Sequence, residues 1–78
     1  MVSYKVASAL EPGDVWIERK RPRNHPMCVV HVAKHALAGQ VSVIADDLST
    51  NPRERWVFAF FRVNRIEMMD PLDRPGSR

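Results

Sequence analysis

The run Arg55-Trp56-Val57-Phe58-Ala59-Phe60-Phe61-Arg62-Val63 constrains the fold more than any other part of the chain. Aromatic and β-branched side chains dominate it, and these residues favour a pleated, half-buried backbone. A period of two places Trp56, Phe58 and Phe60 on one face and Val57, Ala59, Phe61 and Val63 on the other. Both faces are therefore apolar. A strand in a single-layer sheet alternates apolar with polar residues, so the second face needs cover from another part of this chain or from another chain.

The rest of the sequence reads as further short strands separated by turn signals. Ser3 to Ala9 alternates in part and predicts a first strand. Leu10-Glu11-Pro12-Gly13-Asp14 predicts a tight turn, since proline fixes φ and glycine accepts positive φ. Asp14 to Arg21 predicts a second strand. Val15, Ile17 and Arg19 are assigned to its core face, and Trp16, Glu18 and Lys20 to the other, which leaves part of the Trp16 ring in solvent. Arg21 to Pro26 carries two prolines and predicts a connecting loop. Met27 to Lys34 predicts a strand, followed by an irregular or helical stretch near residues 33–38 that ends at Gly39. Val41 to Ala45 predicts another strand, Asp46 to Pro52 a loop, and Val63 to Met69 a last strand with Ile66 and Met68 inward. Residues 70–78 are rich in proline and polar groups and predict a flexible tail. Residues 1–69 then form a single domain. Five or six short antiparallel strands predict a mainly β protein, with the sheet curled into a small barrel that shortens its edges.

Seventy-eight residues leave room for one domain. The formal net charge of +3 tilts towards anionic partners but falls well short of a strongly basic nucleic-acid binder. A single cysteine, Cys28, excludes an intrachain disulfide and favours a reducing compartment. Without a signal-peptide pattern or an apolar run of membrane-spanning length, a cytoplasmic location with no membrane partner is expected.

Four groups of residues could carry function. The loop residues Arg19, Lys20, Arg21 and Arg23 could neutralise phosphates, with Trp16 alongside to stack on a base. Trp56, Phe58 and Phe60 could form a partner interface, with a protein or with a second copy in a homodimer. His25, Cys28, His31 and His35 are metal-ligand types. On a helix Cys28, His31 and His35 would share a face, but a strand separates Cys28 from His31, and the spacing matches no standard zinc motif. Asp46, Asp47 and Glu54 could serve acid–base chemistry, although acidic residues before Ser49-Thr50-Asn51-Pro52 suit turn hydrogen bonds better. No nucleophile–base arrangement and no phosphate-cradling glycine loop is present. The expectation is a non-enzymatic binding module without a cofactor.

The segment Ala9-Leu10-Glu11-Pro12-Gly13-Asp14-Val15-Trp16-Ile17 resembles the opening of small SH3-like β-barrel domains, including short proteins of actinobacteria and their phages. In that pattern a proline-glycine-aspartate turn feeds a strand, and a later strand closes with a motif similar to Asn64-Arg65-Ile66-Glu67-Met68. The resemblance covers Val6 to Met69 at most. It implies a barrel and an accessory role in contacting host machinery or nucleic acid, and it brings no catalytic residues.

Overall fold

The computed structural model describes residues 3–20, 23–37 and 39–73. Strands β1 (Ser3–Val6), β2 (Val15–Lys20), β3 (Arg23–Leu37), β4 (Gln40–Asp47), β5 (Arg55–Phe61) and β6 (Arg65–Met68) form one sheet. Their order is β1-β6-β2-β3-β4-β5, and the neighbouring strands run antiparallel. Short 3₁₀ turns at Ala7–Ala9 and Pro71–Asp73 are the only helical geometry among the described residues. None of it is long and apolar enough to cross a membrane.

The predicted mainly β class and the strand count are found, and the sheet is open: β1 and β5 are its edges. It is nevertheless strongly curled. β2 and β5 are separated by β3 and β4, which in a flat sheet would hold them about 14 Å apart. Yet the ring of Trp16 on β2 lies with its centroid 5.2 Å from that of Phe58 and 5.8 Å from that of Phe60, edge-on to both. The curl wraps the inner face around Trp16. Leu10, Met27, Val29, Val41, Val43, Ala45 and Ile66 complete this core, with Val32, Phe58, Phe60 and Met68 packed against it. At one end the 3₁₀ turn draws the two edges together. Ala7 N–H donates to Asn64 C=O (2.8 Å) and Ser8 N–H to Arg62 C=O (3.1 Å).

The Pro12-Gly13 turn forms as expected. Gly13 has φ +94°, and Glu11 N–H donates to the Asp14 carboxylate at 2.9 Å. β4 shows the clearest alternation, with Val41, Val43, Ala45 and Asp47 buried and the residues between them half-buried.

Several expectations are corrected. On β2 Trp16, only 1% exposed, takes the inner face; of the residues expected in the core Val15 is buried, whereas Ile17 is half-buried and Arg19 exposed. Trp16 tolerates its charged neighbour because its indole Nε1–H donates to Glu18 Oε1 at 3.1 Å, and a buried indole needs such a partner. The predicted loop from Arg21 to Pro26 is largely strand: Arg23 to Pro26 pair with Lys20 to Ile17 across the β2–β3 hairpin. Pro26 fits because its carbonyl accepts from Leu48 N–H (2.8 Å) on the β4 side. A strand residue's N and O point to the same side, so the missing N–H faces the turn that ends β4 and costs no β2–β3 bond.

The predicted helix near residues 33–38 is absent among the described residues. Strand β3 continues to Leu37, which pairs with Gln40, and Gly39 (φ +77°) serves the β3–β4 turn instead of a helix end. The helix-forming alanines are overridden by the ladder that β4 offers. β3 also contains a bulge between Val29 and His31. The extra residue returns Cys28 and His31 to the same, outer face, where strict alternation would separate them. In the predicted tail, Pro71–Asp73 is an exposed 3₁₀ turn, and residues 74–78 lie outside the described residues.

Trp16→Ala removes the side chain around which the sheet curls. We expect a loss of about 3–5 kcal/mol in urea unfolding, a large share of the roughly 5–15 kcal/mol available to a small domain. A change below 1 kcal/mol would contradict Trp16 as the centre of the core.

Candidate protein interface

The edge strand β5 brings together exposed apolar side chains and backbone groups most of which have no partner among the described residues. Asp47 N–H donates to Glu54 C=O and Arg62 N–H to Gly39 C=O, both at 2.8 Å. Between these bonds the register runs unbroken from Asp46↔Arg55 to Gln40↔Phe61. Antiparallel hydrogen bonding alternates along a strand. Trp56, Phe58 and Phe60 therefore turn their backbone groups to β4, while Arg55, Val57, Ala59 and Phe61 turn theirs to the open side. Of these outward groups, the Phe61 carbonyl accepts from Asn64 N–H at 3.0 Å. The same residues carry their side chains on the outer face of the sheet. Val57 is 72% exposed, Phe61 61%, and Ala59 is exposed as well.

The two edges are not alike. β1 has four residues and carries Lys5 on the face of Ile66, its ladder partner, where its ammonium pairs with Asp14 at 2.9 Å. Short length and an inward charge are devices that discourage strand addition. β5 has seven residues, with neither a proline nor a charge between Arg55 and Arg62.

The three predicted interface residues divide. Phe58 and Phe60 stack on each other with centroids 5.7 Å apart and serve the chain's own core. Trp56, on the same inner face but beyond the core, remains 42% exposed. The outer stripe of Val57, Ala59 and Phe61 was visible in the sequence as the second apolar face, but nothing there showed that it would be the bare one.

The basic loop is less available than its composition suggests. Arg19 makes a two-pronged contact with Glu67, Nε to Oε1 at 3.0 Å and Nη2 to Oε2 at 2.6 Å. The hydrogen bond and the charge of Glu67 raise its pKa further. Trp16 is buried and offers no ring face to a base. Arg21 lies outside the described residues, as do the side chains of Lys20 and Arg23, which pair at the hairpin end.

Among the described residues no group of three metal-ligand side chains converges. His25 turns inward to Asp47 (Nδ1 to Oδ2, 2.7 Å), Cys28 and His31 lie on the outer face, and the His35 side chain lies outside the described residues. The acidic set makes structural contacts. Asp46 takes Arg55 Nε at 2.8 Å and Nη2 at 3.2 Å, and the Arg55 hydrogen bond holds its pKa below the usual range. Asp47 is buried at 1% exposure, and its Oδ1 accepts from the Ser49 amide (2.8 Å) and hydroxyl (2.6 Å). Glu54 N–H donates to Thr50 Oγ1 at 2.8 Å and so closes the β4–β5 loop.

No protein-family model, curated protein or solved structure matches this chain. The functional reading consequently rests on its own geometry.

Burial alone raises the pKa of Asp47, but the hydrogen bonds from Ser49 and His25 outweigh it and leave the group below its ordinary value. The unfolded chain therefore binds a proton more readily than the folded one. The associated stability is present above the ordinary aspartate range, about pH 4, and is lost as pH falls through the lower folded value. Asp47→Asn should flatten the acid side of a stability-against-pH curve measured by urea unfolding. An unchanged acid slope would show that Asp47 does not carry it.

Proposed function

We propose that this chain is a non-enzymatic protein-interaction module that takes an extended protein segment along the β5 edge. The observation that carries this reading is the coincidence, on Arg55, Val57, Ala59 and Phe61, of outward backbone groups and outward apolar side chains. Strand addition uses these two elements together: main-chain hydrogen bonds supply affinity, and alternate side chains supply selectivity. Exposed apolar edges are otherwise an aggregation liability. The curled sheet and its Pro12-Gly13-Asp14 turn also support an incompletely closed scaffold of the SH3-like kind, in an accessory protein that acts through contact. The nucleic-acid reading keeps only Lys20, Arg21 and Arg23, because Arg19 is paired and Trp16 is buried.

Replacing Val57 and Phe61 together by lysine should abolish association with protein partners in affinity capture. Stability should change by no more than about 0.5 kcal/mol per site, since both side chains already face solvent. If association survives that double variant but is lost on charge reversal at Arg21 and Arg23, with oligonucleotide binding that falls steeply with salt, the basic hairpin is the functional surface instead.

A further inference from the structure

We propose that the segment added to β5 is β5 of a second copy of this chain, antiparallel about a two-fold axis at Phe58, with Val57 of each copy facing Ala59 of the other. This rests on the reading of β5 as the contact edge and names its occupant.

Register decides the argument. Two β5 edges can join only if their outward backbone groups meet, so Arg55, Val57, Ala59 and Phe61 of one copy must face residues of the same set in the other. Centring the axis on Phe58 sets Arg55 opposite Phe61 and Val57 opposite Ala59, and the reverse; the Phe61 carbonyl already accepts from Asn64 N–H, so Phe61 brings its N–H to the contact. Sliding the axis by one residue either way leaves part of the strand unpaired.

The same register brings opposite charges together at both ends. Glu54 and Arg62, both exposed, flank the strand, and each comes opposite the other of the second copy. Moving the axis by one residue sets Glu54 against Phe60 or Asn64 instead. Arg55 adds no unbalanced charge, since its guanidinium is already held by Asp46 at 2.8 Å. On the inner face, Trp56 meets Phe60 of the second copy and the two Phe58 rings meet at the axis. Cross-strand aromatic pairs of this kind are favourable. On the outer face, the two stripes of Val57, Ala59 and Phe61 merge and cover one another.

Such a contact is closed. Each copy uses its β5 edge once, and the joined sheet then ends on β1 at both sides, the short edge that carries Lys5. A two-fold pairing therefore gives a dimer and no filament.

The test uses the full chain, with mass measured by analytical ultracentrifugation over a concentration series and amide exchange followed by NMR. We expect a two-chain mass and protection of the Val57 and Ala59 amides that rises with concentration. Val57→Lys with Ala59→Lys puts like charges opposite each other and should raise the dimer dissociation constant about tenfold or more. Val57→Lys with Ala59→Glu should restore it, because only this register faces position 57 with position 59. Ala59→Pro removes an outward N–H without touching the β4–β5 ladder and should also weaken the dimer. A dimer indifferent to these changes, or a chain that stays monomeric throughout, overturns the second-copy proposal. In the monomeric case a synthetic extended peptide of alternating valine and threonine, unrelated to β5, is added. Protection of the Val57 and Ala59 amides by that peptide preserves the contact edge and overturns the self-pairing alone. Continued fast exchange overturns both.

Discussion

The contact of Trp16 with Phe58 and Phe60 is the interaction on which the rest of the structure depends. It joins strands that are not neighbours in the sheet, and it can exist only if the ribbon bends through β3 and β4. The bend gives a chain of this size an inside. Without it, a single sheet would hold one apolar face against water, and no second layer exists to cover that face. Near-perpendicular geometry suits the task, because one indole packs against two mutually stacked rings at once.

Curling also determines which surfaces are left over. An inner face that closes on itself leaves an outer face with nothing to cover it, and an open sheet leaves two edges. β4 handles the outer face in the ordinary way, with Gln40, Ser42 and Asp46 among its outward residues. β5 does not, and its outward residues are apolar. The core and the candidate interface thus lie back to back on one strand. Phe58 and Phe60 hold the fold while Val57, Ala59 and Phe61 remain outside, so substitutions on the two faces have separable effects.

Much of this architecture was legible in the sequence. Period-two runs located most of the strands, and Pro12-Gly13 located its turn, because these signals are local. What failed was decided by distant partners. The alternation of β2 was clear, but the choice of inner face depended on Phe58 and Phe60, which reach Trp16 from β5. The alanines after Ala33 favoured a helix until β4 supplied a ladder. The prolines near residues 22–26 excluded a central strand only on the assumption that both sides of Pro26 had partners, and on one side β4 has ended. The bulge at Val30 escaped notice because an inserted residue leaves no mark in composition. The candidate interface was half legible: a doubly apolar strand declares that something must cover it, but strand order across the sheet decides which side stays open.

The small clasp between Ala7, Ser8 and the carbonyls of Arg62 and Asn64 has a consequence for biogenesis. It joins Ala7 and Ser8 to Arg62 and Asn64, so the curl cannot be fastened until the segment through Asn64 has left the ribosome. Until then β2, β3 and β4 form a ribbon whose oily side lacks the phenylalanines that complete it. Local hairpins can assemble early, whereas closure must wait on residues far apart in sequence. For such a protein, vulnerability during synthesis is written into the order of its strands.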